Sequence, residues 1–319
     1  FGMRRAQGLG AIHASKAGII GGADSTSNVY SGFAFGLQTT GTMAHSWVQS
    51  YEQELDAFRD FARSYPDKCV LLVDTYDTLK SGIPNAISIG KEMREHGHEL
   101  YGVRLDSGDL SYLSKQARQM LDEAGMEGVK ILVSNQLDEY VIKSLNEQKA
   151  PIDAFGVGTN LIIGRDDAAL DGVYKLTQWE GKPSLKISEN IEKVILPANK
   201  NLYRYFDEHN LMYADGIALE DEDHLDRIYH PHDARKRSEV QPYRSENLHR
   251  QVMDQGQLSM EKKHPEELQA YVRARLESLP EEHRRFDNPH IYKVGISHAL
   301  MQLRDQLIEE KKSYIAKNL

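Results

Sequence analysis

The chain has 319 residues, of which 40% are hydrophobic and 27% are charged, so it can bury a large core as one big domain or two smaller ones. Its net charge of −9 argues against a nucleic-acid partner, because phosphate backbones select basic surfaces. The longest apolar runs fall well short of the ~20 residues that cross a bilayer, so no membrane partner is expected. The single cysteine, Cys69, excludes an internal disulfide and favours a cytoplasmic location, where we expect a buried core thiol.

The chain opens directly inside a dense motif, Phe1-Gly2-Met3-Arg4-Arg5. Natural chains rarely begin within a motif, so we expect an N-terminal portion to precede this sequence. From residue 38 onward, short apolar runs alternate with stretches of helical periodicity. The runs predict strands at 37–44, 69–73, 100–105, 129–133, 152–157 and 173–176. The stretches between them predict helices at 47–65, 84–96, 110–124 and 137–149. This alternation indicates parallel βα units, which build either an open doubly wound sheet or a barrel.

The ends of the predicted strands carry polar or glycine clusters. They are His45-Ser46, Asp74-Thr75-Tyr76-Asp77, Arg104-Leu105-Asp106-Ser107-Gly108-Asp109, Ser134-Asn135 and Gly156-Val157-Gly158-Thr159-Asn160. A βα barrel gathers catalytic groups from the carboxyl ends of several strands, whereas an open sheet concentrates them at one switch point. The even spread therefore favours a barrel.

After residue 177 the alternation ends. The acidic run 220–223 and the Pro-, His- and Arg-rich stretch 230–250 predict solvated loops, and two helices are predicted at 265–277 and 298–311. Pro231 between His230 and His232 argues against a metal site there, although both residues could in principle share one. We therefore divide the chain into a barrel domain, 1–205, and a C-terminal region, 206–319, of loops and helices that pack back on the barrel or on the N-terminal domain.

Three groups of residues point to chemistry. Gly156, Gly158 and Thr159 follow a strand and can cradle a phosphate with backbone N–H groups and a hydroxyl, although a simple turn is the alternative. Alternation along a strand end points Arg104 and Asp106 the same way, where arginine suits a phosphate. Asp106 and Asp109 could hold a divalent cation or ribose hydroxyls, and a surface salt bridge beside a turn is the alternative.

The aspartates at 74 and 77 leave the same two alternatives open. His45 stands at a strand end beside a hydroxyl, Ser46, and is either a functional group or a structural hydrogen-bonding residue.

Several segments together resemble the nicotinate phosphoribosyltransferase family, in the family's order and at plausible distances. They are Phe1-Gly2-Met3-Arg4-Arg5-Ala6-Gln7-Gly8, Gly21-Gly22-Ala23-Asp24-Ser25-Thr26-Ser27-Asn28, Gly41-Thr42-Met43-Ala44-His45-Ser46, Val103-Arg104-Leu105-Asp106-Ser107-Gly108-Asp109 and Phe155-Gly156-Val157-Gly158-Thr159. Two later segments, 172–176 and 185–188, extend the match. The resemblance covers residues 1 to about 205 and is thinner beyond, where 292–308 carry it.

The resemblance implies an irregular seven-stranded α/β barrel and an additional α/β domain built mainly from the N-terminal region. It implies transfer of a phosphoribosyl group from phosphoribosyl pyrophosphate (PRPP) to nicotinate with Mg²⁺, in NAD synthesis. ATP hydrolysis would assist through a phosphorylated histidine, which by motif is His45, and the assembly would be a homodimer.

The resemblance also implies a role for each site residue. Phe1 would stack on the pyridine ring, Arg4 would sit beside its carboxylate, and Asp24 would lie near the ring. The other positions would face the second substrate. Arg104 and Asp106 would face PRPP, Ser134 and Asn135 its ribose region, and Gly156, Gly158 and Thr159 its 5′-phosphate. His45, Arg104 and Asp106 are the predicted catalytic residues.

Three alternatives stay open. A nicotinamide phosphoribosyltransferase would share the Asp24 position, so that residue does not settle acid against amide. A barrel aldolase or isomerase would need an essential lysine or a metal triad, and Lys175 is the clearest lysine near a predicted strand end. A phosphosugar sensor would bind PRPP without releasing pyrophosphate.

Overall fold

The computed structural model describes residues 1–187 and 194–318, which form two compact units. The first unit contains Phe1–Leu170 and His264–Gln269, and the second contains Asp171–Lys263 and Ala270–Leu319. The predicted boundary after residue 205 is therefore wrong. The strand Lys200–Phe206 hydrogen-bonds into the sheet of the second unit, so the boundary precedes it. Part of the family-like segment 185–188, namely Ser188, lies outside the described residues.

The helices and strands are numbered in chain order. The α-helices are α1 (Gly10–Ile20), α2 (Val29–Phe35), α3 (His45–Gln49), α4 (Glu54–Ser64), α5 (Ile83–Glu95), α6 (Leu110–Glu123), α7 (Glu139–Glu147), α8 (Thr159–Ile162), α9 (Pro265–Glu277), α10 (Glu281–Arg284) and α11 (His298–Asn318). The strands are β1 (Val70–Leu72), β2 (Gly102–Leu105), β3 (Lys130–Ser134), β4 (Ala154–Gly156), β5 (Gln178–Trp179), β6 (Lys182–Pro183), β7 (Lys200–Phe206), β8 (Met212–Leu219), β9 (Arg227–His230), β10 (Asp233–Glu239), β11 (Arg244–Asn247), β12 (Met253–Asp254), β13 (Gln257–Leu258) and β14 (Val294–Ile296). A 3-10 helix (Met3–Arg5) and a π-helix (Thr78–Gly82) complete the described elements. None of the described helices is long and apolar enough to span a bilayer.

The first unit is a mixed α/β fold around a four-stranded parallel sheet in the order β1-β2-β3-β4. Leu71, Val103 and Ile131 are fully buried in its core, because parallel strands are covered by helices on their faces. The predicted βα alternation is confirmed here: β1, β2 and β4 fall within predicted runs, and β3 extends one residue beyond its run. Pro84 lies in the first turn of α5, as expected for a residue without an N–H.

Two predicted strands are wrong. In the run 37–44, Thr39 makes an isolated bridge with Thr26, although Leu37 and Met43 are buried. The run 173–176 forms neither helix nor strand and is exposed. The run 37–44 shows that an apolar segment can be buried without a neighbouring strand to hydrogen-bond with. The described residues of the first unit therefore form a four-stranded parallel sheet, and a closed seven-stranded barrel is not confirmed.

The second unit contains a six-stranded mixed sheet in the order β10-β9-β14-β8-β7-β11. The pair β14 and β8 is parallel, and the other pairs are antiparallel. Its core holds Tyr205, Ala214 and Ile228. The expectation of loops and helices for 206–319 is therefore wrong for the strands β8 to β11 within 212–247, whereas the predicted loop at 220–223 is confirmed. Strands such as β10 expose charged side chains and lack the apolar alternation that would have revealed them.

Candidate functional site

The carboxyl ends of β1, β2 and β3 bring one cluster of polar side chains together. Asp74 lies two residues after β1, Asp106 follows β2 directly, and Ser134 ends β3. The parallel register carries all three to the same edge of the sheet, while Arg104 enters from within β2. The fifth member, His45, begins α3. We call these five residues the edge cluster.

His45 faces two carboxylates. Its Nε2 lies 3.6 Å from Asp106 Oδ2 and 4.0 Å from Asp74 Oδ1. On the other side of the ring, Nδ1 is 3.0 Å from the Thr75 hydroxyl. When Nδ1 donates its hydrogen to Thr75, Nε2 carries the lone pair and faces the acidic side of the cluster.

Asp74 is the most buried charge of the edge cluster, with a side chain only 1% exposed. Its Oδ2 accepts hydrogen bonds from the Asp106 backbone N–H at 2.7 Å and from the Ser107 hydroxyl at 2.6 Å. Its Oδ1 is buried without a hydrogen-bond partner. A buried carboxylate oxygen left unpaired is costly, so it is a position where a cation or a donor would be stabilised.

Arg104 links three strand ends. Its Nε donates to Ser134 Oγ at 3.0 Å, and its Nη1 donates to Thr42 Oγ1 and, at 3.3 Å, to the Met43 carbonyl. Ser134 in turn donates to Asp106 Oδ1, which is 3.5 Å from Arg104 Nη2. Most acceptors of the guanidinium are thus neutral, and one is a carboxylate. Its positive charge is only partly offset by the protein, so it can attract a phosphate.

The glycine loop after β4 lies against the first two residues of the chain. A Cβ at Gly156 would stand 3.5 Å from Phe1 Cε2 and 3.2 Å from the Ser134 Cβ. A Cβ at Gly2, where φ is +81°, would stand 2.6 Å from the Gly158 carbonyl carbon, so only glycine fits. The Phe1 ring, 41% exposed, therefore lies next to the predicted phosphate loop and, through Gly156, beside the edge cluster.

Other predicted site residues lie apart or have structural contacts. Arg4, in the 3-10 helix, and Asp24 are both exposed, and no described hydrogen bond or ion pair joins them to the edge cluster. Asn135 is exposed beside the cluster with φ at +84°, an unusual conformation for a non-glycine residue. Asp109 caps α6 by accepting from the Tyr112 N–H at 3.0 Å, so its role as a metal ligand stays a prediction. Asp77 likewise caps the π-helix, which favours its structural alternative.

The sequence did not single out Thr42, Thr75 or Ser107 as site residues, although each stood in a quoted strand-end cluster or motif. Their hydroxyls bind Arg104, His45 and Asp74 respectively. The available signal was their closeness in sequence to other predicted site residues, since Thr75 follows Asp74, Ser107 follows Asp106 and Thr42 lies shortly before His45. What the sequence could not supply is the contact itself, since Thr42 and Arg104 are 62 residues apart.

Gly82, at the end of the π-helix, positions the backbone behind Asp74. A Cβ there would stand 1.8 Å from the Val73 carbonyl oxygen, which no rearrangement of a side chain could relieve. The π-helix therefore packs directly against Val73, the residue that precedes Asp74. Single-turn π segments of this kind occur frequently at functional sites.

Lys175, on which an aldolase or isomerase would depend, is exposed in a segment without helix or strand. The structure thus offers no strand-end lysine at this position. The first unit instead offers a guanidinium and a glycine loop that suit a phosphate, together with a pair of carboxylates that suit a cation.

The fold of the first unit is of the mixed α/β class, and comparison with known proteins identifies the family within that class. The model of the nicotinate phosphoribosyltransferase (NAPRTase) family matches residues 1–227, and the model of the nicotinate phosphoribosyltransferase C-terminal domain matches 199–304. The chain therefore belongs to the nicotinate phosphoribosyltransferase family.

Relatives and solved structures agree. The chain is 42% identical over 329 residues to nicotinate phosphoribosyltransferase of Bacillus subtilis, covering 100% of this chain and 67% of the relative. It is 35% identical to that of Dictyostelium discoideum, covering 94% and 61%. The crystal structure of human nicotinic acid phosphoribosyltransferase matches with a TM-score of 0.81 at 28% identity, over 97% of this chain and 70% of that one. The chain thus spans 61–67% of the length of the first two relatives.

Proposed function

We propose that the edge cluster transfers the phosphoribosyl group of PRPP to nicotinate, giving nicotinate mononucleotide and pyrophosphate for NAD synthesis. The observation that carries the proposal is the convergence of Arg104, Ser134 and two carboxylates with His45 at the carboxyl edge of the parallel sheet. The family membership of the chain supplies the reaction, and the cluster supplies groups suited to each part of it.

In this reaction the bond from the ribose carbon to pyrophosphate breaks and a bond to the pyridine nitrogen forms. Positive charge builds on the ribosyl group meanwhile, and Asp74 and Asp106 stabilise it electrostatically. Arg104 offsets negative charge on the departing pyrophosphate. Backbone N–H groups of Gly156 to Thr159 would bind the 5′-phosphate, and the exposed Phe1 ring offers a face for the pyridine.

The edge cluster also fits a magnesium ion. Mg²⁺ takes carboxylate and water oxygens, and Asp74 Oδ1 is a buried carboxylate oxygen without a hydrogen-bond partner. Asp106 is the second carboxylate, and its Oδ2 lies 3.6 Å from the same His45 Nε2 that is 4.0 Å from Asp74 Oδ1. When bound there, the ion would supply charge neutralisation for the pyrophosphate.

ATP hydrolysis is coupled, in this proposal, through His45. The γ-phosphoryl group passes from ATP to the ring as the bond to ADP breaks and a P–N bond forms. The Thr75 contact at Nδ1 leaves Nε2 as the attacking nitrogen. A phosphoryl group at Nε2 would face two carboxylates, so it requires a cation to shield the like charges.

The finer architecture belongs to the same proposal. The four parallel strands are neighbours in the order of the chain, without the reversal that marks a doubly wound sheet. This order supports the proposal that the four strands form part of the wall of an irregular seven-stranded barrel. A homodimer in the cytoplasm is proposed from the family resemblance.

The test is to incubate the purified protein with nicotinate, PRPP, Mg²⁺ and ATP and to measure nicotinate mononucleotide and pyrophosphate. We expect both products in equal amounts, with nicotinate preferred over nicotinamide. Equal or faster turnover of nicotinamide would indicate the amide-using alternative. Binding of PRPP without pyrophosphate release would contradict the proposal and indicate a sensor.

A further inference from the structure

The second unit contains a group of three metal-ligating side chains that the phosphoribosyl reaction does not use. Glu282 and His283 belong to α10, and His290 lies in the segment that leads into β14. Each offers one ligand atom, and these atoms all lie within 4.8 Å of one another. In the described part of the chain, no other group of three histidine, cysteine or carboxylate side chains brings its ligand atoms this close together.

Two backbone contacts hold the group in place. The His290 N–H donates to the Glu282 carbonyl at 2.8 Å, and His283 Nδ1 lies 2.6 Å from the His290 carbonyl. The imidazole rings of the two histidines are nearly parallel, at an interplanar angle of 12° with centroids 5.3 Å apart. The loop between them is therefore closed before any ligand binds, which lowers the ordering cost of binding.

The protonation of His283 follows from its partner. A carbonyl oxygen only accepts, so His283 Nδ1 must carry the hydrogen and donate it. Neutral His283 therefore keeps its lone pair on Nε2. Metal-binding histidines typically have this arrangement, in which one ring nitrogen donates to a carbonyl and the other ligates the metal.

A second histidine pair in the same unit has the opposite arrangement. The rings of His230 and His232 are 5.9 Å apart, but His230 Nδ1 accepts a hydrogen bond from the His232 backbone N–H at 3.2 Å. That contact uses the Nδ1 lone pair and leaves the hydrogen of neutral His230 on Nε2. Neither nitrogen of His230 is thus ready to ligate a metal, which makes this pair a natural control.

We propose that Glu282, His283 and His290 form a binding site for a divalent metal ion of the zinc type. Two imidazoles and one carboxylate select zinc over magnesium, which prefers oxygen ligands. The fourth position is open to water. The Glu282 and His290 side chains are both exposed, so the carboxylate can move and the His290 ring can turn until the ligand atoms reach the distances of a tetrahedral site. The ion would clip α10 to the segment before β14, and the proposal is independent of the phosphoribosyl reaction.

The test measures zinc bound to purified, tag-free protein after chelator treatment, reloading and gel filtration. We expect a zinc site at 282–290 and a melting temperature that zinc raises and magnesium does not. His283→Ala and His290→Ala should each weaken this site by at least about 100-fold, beyond the loss typical of an outer-shell partner. His230→Ala should leave it unchanged.

Zinc retention that is undiminished in both ligand variants would overturn the proposal, as would the absence of bound zinc in the unmodified protein. Because the variants could fold poorly, X-ray absorption of the zinc-loaded unmodified protein gives a second reading. We expect two imidazole ligands at about 2.0–2.1 Å with oxygen ligands completing the shell. A shell without an imidazole pair would contradict the assignment.

Discussion

Two arginine–aspartate pairs, one in each unit, differ in how completely their polar atoms are satisfied. In the second unit Arg204 binds Asp215 in a bidentate way at 2.8 and 2.7 Å, and the Tyr292 hydroxyl donates to the same carboxylate at 3.1 Å. In the first unit Arg104 meets Asp106 at 3.5 Å through one contact.

The difference follows from the sheets that hold the pairs. Arg204 and Asp215 are direct partners on the antiparallel strands β7 and β8, so their side chains lie on one face at a fixed spacing. The neighbouring carboxylate raises the pKa of Arg204 and keeps it charged. Arg104 and Asp106 instead stand at parallel strand ends, where loops converge and where Asp74 keeps an unpaired buried oxygen. A satisfied pair stabilises a fold, whereas an incompletely satisfied one is available to a ligand.

The largest expected effect comes from Asp106→Asn, which keeps the size of the side chain and removes its charge. We expect kcat to fall about 10²- to 10³-fold, the loss typical of removing one electrostatic stabiliser of a transition state. Steady-state kinetics at limiting Mg²⁺ measure it. The matched control is Asp109→Asn, since Asp109 caps α6 nearby. A similar loss of kcat in both variants would assign Asp109 to the site as well, and full activity of Asp106→Asn would remove Asp106 from it.

A smaller effect is expected for Arg104→Ala. Losing a charge-assisted contact to phosphate costs about 1.5–3 kcal/mol, or roughly ten- to a hundredfold in affinity. We expect the KM for PRPP to rise by that factor and the KM for nicotinate to change little. Arg94→Ala, at an exposed ion pair with Glu99, is the control. An unchanged KM for PRPP would contradict the role of Arg104.

In the second unit, Tyr292→Phe should lower stability and leave catalysis unchanged. The variant loses a hydrogen bond to Asp215, which contributes about 1 kcal/mol to the free energy of unfolding. Chemical denaturation and kcat are measured together. Tyr174→Phe, at a fully exposed ring, should change neither. A change in kcat without a change in stability would show that the satisfied pair is not purely structural.

The smallest expected effect concerns Cys69. Burial raises the pKa of its thiol to about 12, so the folded protein holds almost no thiolate near neutral pH. We expect no reaction with a thiol reagent at pH 8 in the folded state and one equivalent after denaturation. Rapid reaction of the folded protein would show that the core around β1 opens readily.

The sequence predicted the first unit much better than the second. In the first unit, the strand in the apolar run 69–73 is buried on both faces and lies close to its predicted position. In the second unit, β10 is a run of charged residues whose place in a sheet is determined by pairing with β9. The charged sequence of β10 has no apolar alternation, and β14 pairs with β8, which lies far earlier in the chain, so neither strand could be inferred from a local pattern.

The candidate site shows the same limit. Strand-end position and residue type were enough to select His45, Arg104, Asp106 and Ser134. They were not enough to rank Asp74 above Asp77, because both follow β1 with the same side chain. Only the structure shows that one is buried beside His45 while the other caps a helix.

The most direct test of the central claim is phosphate incorporation from γ-labelled ATP into His45. The unmodified protein should acquire acid-labile label, and ATP should stimulate nicotinate mononucleotide formation. His45→Ala should lose both the label and the stimulation, while slow transfer without ATP survives through Arg104 and the glycine loop. The control His98→Ala, at an exposed contact with Asp67, should retain both. Label on the His45→Ala protein, or undiminished ATP stimulation in it, would contradict the assignment.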